Sequence, residues 1–244
     1  MKEAFGRASE DERNRGVRGR LGIAAAKTAL FLGGVKDLQP LQAETVKIYP
    51  EIPLEENLER QAGRYTELEF YKHPEIEISK GKFKDLIMGL AIPQPENFRG
   101  RFNSPVAVFG QIPIKDQCER AGIDYFLGGL NVNDWPDDPQ NYQTPNALYL
   151  AWTDEGARNM DRKVKDVRRE LAPDERGGTQ FDGVALYIVK PNVLQTRFLD
   201  LPGTTVEPAY AASLRLWDGR PRLDDDFVDV ASPGFGSLVC GRQK

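Results

Sequence analysis

The amino-acid sequence predicts an α+β fold: a mainly antiparallel sheet with packed helices and an N-terminal helical arm. Strand-like and helix-like segments succeed one another along the chain, the C-terminal part carries a hairpin signature, and the composition suits a buried core. Hydrophobic residues make up 40% and charged residues 29% of the 244 positions, a balance found in folded chains and not in disordered tails. Residues 1–40 read as an arm and helix, and residues 41–244 as a single α+β domain.

The first 20 residues alternate charges with little apolar content, and "LGIAAAKTALFL" reads as a short helix ended by Gly33 and Gly34. That run does not read as a targeting segment, because Lys27 interrupts it and Glu10, Asp11 and Glu12 occupy what would be the positive leader. Pro40, Pro50 and Pro53 mark a connecting segment, and "PLEENLERQAGRY" has the proline start and early glutamates of a helix. The period-two alternation of "ELEFYKHPEIEIS" predicts strands with one wet face, interrupted at Pro74. A short helix over "KFKDLIMGL" and a buried strand in "SPVAVFGQIP" follow. "GGLNVNDWPDDPQNYQTPN" is rich in turn formers and predicts a long surface loop.

"ALYLAW" then reads as a strand, and "ARNMDRKVKDVRREL" as a helix with Ala157, Met160, Val164, Val167 and Leu171 on one face. In "TQFDGVALYIV", Thr179 and Asp182 stand at capping-box spacing, which favours a helix, while the β-branched content leaves a strand as the competitor. "AASLRLW", Asp218-Gly219 and "RPRLDDDFV" predict a hairpin, since Asp-Gly supplies the two positive φ angles of a type I′ turn. The closing "GFGSLVCG" is expected to pair beside it.

A net charge of -4 offers no overall attraction to phosphate backbones. Cys118 and Cys240 lack CxxC spacing, so reduced and inert thiols are expected. Nothing approaches the roughly 20 apolar residues of a membrane span. Asp224, Asp225, Asp226 and Asp229 form an acidic cluster, but strand geometry turns Asp224 and Asp226 away from Asp225, so a solubilising edge strand is expected. Asp224, Asp226 and Asp229 as metal ligands are the alternative. His73, the single histidine, is expected on an exposed strand or bend. Arg162, Lys165, Arg168 and Arg169 could track phosphates, yet Asp161, Asp166 and Glu170 stand where they pair with such bases on an ordinary solvated helix.

Two resemblances follow from quoted stretches. The GFG in "SPGFGSLVCG" resembles the glycine-rich loop of CRISPR-associated, repeat-RNA-binding ferredoxin-like proteins, which would imply close approach of an RNA backbone and leave His73 as the histidine base. Over residues 145–244, the order of "ALYLAW", "FDGVALYIVKPNVL", "FLDLPGT", "LRLWDGRPRL" and "GFGSLVCG" is similar to an uncharacterised bacterial family known only as a domain of unknown function. A closing Gly-Ser-Ala-Ser-Cys would be expected there, and Gly236-Ser237-Leu238-Val239-Cys240 stands in its place. This second resemblance implies a bacterial cytoplasmic protein and supplies no mechanism.

No phosphate-cradling loop, metal spacing or nucleophile pair is evident, so no cofactor is expected. The favoured expectation is a non-catalytic binding or adaptor protein that meets a protein partner through Trp135, Tyr142 and Phe126. An RNA-binding protein and a carboxylate-dependent metal enzyme are the alternatives.

Overall fold

The computed structural model describes residues 52–126 and 142–242. The expected arm, its boundary at residue 40 and Trp135 lie outside the described residues. The described chain opens with α1 (Leu54–Glu67), a 3-10 turn (Phe70–Lys72) and α2 (Lys80–Met88). There follow β1 (Ser104–Phe109), α3 (Ile114–Ala121), β2 (Asp124–Tyr125), β3 (Leu148–Thr153), α4 (Val164–Glu170) and β4 (Glu175–Gly177). α5 (Gln180–Val189) and α6 (Val193–Thr196) precede the long strands β5 (Phe198–Glu207), β6 (Tyr210–Trp217) and β7 (Arg220–Phe227). β8 (Phe235–Ser237) and β9 (Val239–Gly241) complete it.

The strands form two sheets, in the orders β1-β3-β9-β4 and β2-β7-β6-β5-β8. The first is antiparallel throughout; the second is antiparallel except where β2 joins β7 and β8 joins β5. This is the expected α+β fold with a mainly antiparallel sheet. The closing segment runs through both sheets, with buried Leu238 between β8 and β9. β8 therefore pairs with β5 and not beside the hairpin as the sequence suggested, because the hairpin's free flank takes β2 instead.

Local chemistry explains several elements. At α5 the threonine side chain accepts from the Asp182 N–H (3.4 Å) while the Asp182 carboxylate accepts from the Thr179 N–H (2.8 Å). That reciprocal cap decides for a helix over the competing strand. Asp218 and Gly219 have φ of 51° and 75°, both positive as a type I′ turn requires, and β6 and β7 pair in register from Trp217↔Arg220 to Tyr210↔Phe227.

α1 does more than cover apolar surface. Gln61 and Tyr65 stand one helical turn apart and reach the backbone of β1 at residues two apart. The Gln61 amide donates to the Pro105 carbonyl (2.7 Å) and accepts from the Ala107 N–H (2.8 Å), and the Tyr65 hydroxyl donates to the Ala107 carbonyl (2.6 Å). Among the described residues β1 is the outermost strand of its sheet, and side chains of a helix stand where another strand would pair. Tyr65 also packs edge-on to Phe70 and Phe109, with ring centres 4.8 and 4.9 Å away, and Phe83 stacks on Phe109.

Two expectations fail here for identifiable reasons. The "ELEFYKHPEIEIS" stretch is not stranded: α1 continues to Glu67, Glu69 turns left-handed (φ 58°), and the chain folds through local bonds from His73 N–H to the Phe70 carbonyl and from Glu77 N–H to the His73 carbonyl. Burial of Phe70 against Tyr65 and Phe109 outweighs the alternating pattern. The continuous helix from Ala157 is broken as well. After a 3-10 turn at Ala157–Asn159, Met160 bridges to Gly236 and the Asp161 N–H donates to the Phe235 carbonyl (2.8 Å), so α4 starts only at Val164. Pairing with β8 takes the backbone groups that a continuous helix would have used.

Candidate functional site

At the hairpin end of the second sheet, strand register places one set of side chains on a single face. Trp217 lies opposite Arg220, Arg215 opposite Arg222, and Asp124 of β2 beside Arg222, so Phe126, two residues on, shares that face. Phe126 is tied to β7 by its N–H, which donates to the Leu223 carbonyl (3.0 Å). The Arg222 guanidinium sits 5.1 Å from the Phe126 ring centre and 5.1 Å from that of Trp217, and Arg215 sits 5.3 Å from Trp217. Phe126 is 50% and Trp217 40% exposed, so the cation is held between two rings that face solvent.

The two arginines are not equivalent. Arg215 is buried and paired with Asp224, whereas Arg222 makes no ion pair among the described residues; the Nε of each is buried without a hydrogen-bond partner among them. The sequence singled out Phe126 but missed Trp217, Arg215 and Arg222. The signal was present in "LRLWDGRPR": a two-residue turn fixes the register, which puts Arg215, Trp217, Arg220 and Arg222 on one face.

Tyr142 is half-buried, with its ring 4.0 Å from the Arg176 guanidinium. That guanidinium and the Asp182 carboxylate form a fully enclosed pair at 2.6 and 3.0 Å. Asp182 also accepts from Thr179 Oγ1 (3.0 Å) and the Tyr149 hydroxyl (3.1 Å). Burial pushes the Asp182 carboxyl up, but the Arg176 charge and the Thr179 donors outweigh it and hold the group below its ordinary range. Tyr142 thus roofs a structural ion pair.

The acidic cluster is not a wet strand face. Asp224 and Asp226 are buried, and each carboxylate accepts the next residue's N–H: Asp225 to Asp224 and Phe227 to Asp226, both at 2.9 Å. Those two N–H groups point away from β6, on the side where, among the described residues, β2 pairs only with Arg222 and Leu223. The aspartates therefore occupy two backbone donors on that side, a different route to edge protection from the exposed charge expected. As metal ligands they diverge: Asp224 pairs with Arg215, Asp226 accepts from the Ser232 hydroxyl (3.1 Å), and Asp229 pairs with Lys165. Among the described residues no three His, Cys, Asp or Glu side chains gather to hold a metal ion.

His73 is buried, contrary to the expected exposed bend. Its Nδ1 accepts from the Glu75 N–H (3.2 Å), which leaves the proton on Nε2 to be donated to Asp116 (3.1 Å). Neither nitrogen keeps a free lone pair, so the ring acts as a cross-link between the turn and α3. Cys118 and Cys240 are both buried free thiols, and burial pushes each one's pKa up.

The basic stretch is spoken for. Arg162 pairs with Glu170 (2.5 Å), Lys165 with Asp229, and Arg169 with Asp166 (3.0 Å), while Arg168 donates to the Pro202 carbonyl (2.8 Å). Nor is the GFG an open loop. Gly236 lies in β8, and a Cβ there would come within 2.2 Å of the Gly156 carbonyl oxygen, so glycine is needed for the chain to pack on itself. A cleft of about 250 Å³ beside Arg158, Arg162, Glu170 and Glu175 has both arginines already paired with acids.

The described chain is thus an α+β domain with two exposed aromatic rings and a partly buried arginine gathered at one hairpin end. Comparison with family models, curated proteins and solved structures finds no match. Among the described residues, no helix is long and apolar enough to cross a membrane.

Proposed function

We propose that this chain is a non-catalytic binding or adaptor protein that meets a protein partner through the hairpin end of its second sheet. The observation that carries the reading is the Phe126–Arg222–Trp217 stack, two exposed rings about a half-buried arginine on paired strands. Tryptophan and arginine are the residues that most often dominate binding energy at protein interfaces, and fixing them in advance lowers the entropy lost on association. The titratable side chains elsewhere support the same reading, since His73, Asp182, Asp224 and Glu175 are each committed to a structural partner.

A photo-crosslinking residue introduced at position 217 in the full chain tests it, with the exposed position 86 on α2 as control. A discrete adduct with one host protein is expected from position 217 and not from position 86. Equal labelling from both positions, or none from 217, would overturn the proposal.

A further inference from the structure

Resting on that docking surface, we infer that its occupant is an extended peptide segment of a partner protein carrying carboxylates on alternate residues. Arg220 and Arg222 stand two residues apart on one face of β7, and neither makes an ion pair among the described residues. Alternate residues of a strand are separated by roughly 6.6 Å, the same repeat that an extended partner segment has. Acids at positions i and i+2 of such a segment would meet the two guanidinium groups together, while apolar side chains at i-2 or i+4, on the same side of the segment, reach Trp217 and Phe126.

The state of Arg222 sharpens the point. Its guanidinium carbon lies 5.1 Å from the centre of each of two rings, which position a group able to form two parallel bonds to a planar carboxylate. Arg215, the neighbour that could have shared an acid with it, is taken by Asp224. A nucleic-acid backbone fits less well. It asks for a row of cations that follows successive phosphates, and here only Arg220 and Arg222 stand on this face without an ion pair among the described residues.

The experiment is a selection from a randomised displayed library of twelve-residue peptides against the full chain, with counter-selection against the Phe126→Ser, Trp217→Ser double variant. Both substituted positions are exposed, and an unchanged melting temperature verifies that the variant folds. The expected outcome is enrichment of peptides with Asp or Glu at i and i+2. Their binding should weaken by about ten-fold or more on Arg222→Gln, with only partial recovery in Arg222→Lys, which restores charge without the planar fork. Enriched peptides without acids would overturn the carboxylate inference and leave the docking surface standing. No enrichment over the double variant would remove both. Binding of a dodecamer of uridylate that Arg222→Gln abolishes would reassign the surface to nucleic acid and overturn the inference.

Discussion

Asp182 shows how much one side chain decides in this molecule. It caps α5 through Thr179, neutralises Arg176 and accepts the Tyr149 hydroxyl, all without access to water. Asp182→Asn keeps the shape and removes the charge, leaving Arg176 buried without a counter-ion. A loss of about 3–5 kcal/mol is expected in urea unfolding at neutral pH. The sign with pH follows from the lowered carboxyl: the folded state holds its proton less tightly than the unfolded chain, so the pair's contribution is complete above the ordinary value of 3.8. It fades as the pH drops through the lower folded value, and the gap between wild type and Asp182→Asn should close there. A gap that persists unchanged into strong acid would contradict this account. The cap was legible from Thr179 and Asp182 three residues apart, whereas the role of Arg176 was not, because its enclosure comes from β4 pairing with β9.

At the level of elements, the joint between α1 and β1 is the feature that local pattern could not announce. Gln61 lies on the buried side of a helix rich in charge, and only the docked strand turns it into a backbone partner. Tyr65→Phe should cost about 1–3 kcal/mol, because the Ala107 carbonyl loses its hydroxyl donor in a site water does not reach. Gln61→Leu should cost at least as much, since both the Pro105 carbonyl and the Ala107 N–H lose their partner. Chemical denaturation of the two variants and of the pair checks both values. The double variant should fall short of additivity, as the two side chains share one strand edge. Elements with strong local signals, such as the Asp218-Gly219 hairpin and the Thr179 cap, formed where the sequence put them. Those whose backbone was claimed by a distant strand, such as the stretch around Met160, did not.

Across the whole molecule, the closing segment joins the two sheets. β8 extends the second sheet beside β5, and β9 lies between β3 and β4 in the first, where it is β4's only strand partner among the described residues. Truncation after Leu238 removes β9 and leaves β3 and β4 without a neighbour on that side. Loss of a cooperative thermal transition is expected, with unfolding followed by far-ultraviolet circular dichroism. Retention of a sharp transition would mean that the first sheet closes without it.

The sequence alone determined the fold class, the ends of the hairpin and the cap of α5, because turn chemistry and capping act over two to four residues and need no distant partner. It also singled out Phe126 as an expected contact residue, and the side chain is 50% exposed. Tertiary structure decided the fate of most polar side chains: the aspartates of β7 became edge caps, His73 a cross-link and the basic stretch a set of paired charges. It also put Arg222 between two rings drawn from separate strands. Burial and pairing depend on which elements meet across the sheets, and no local periodicity encodes that.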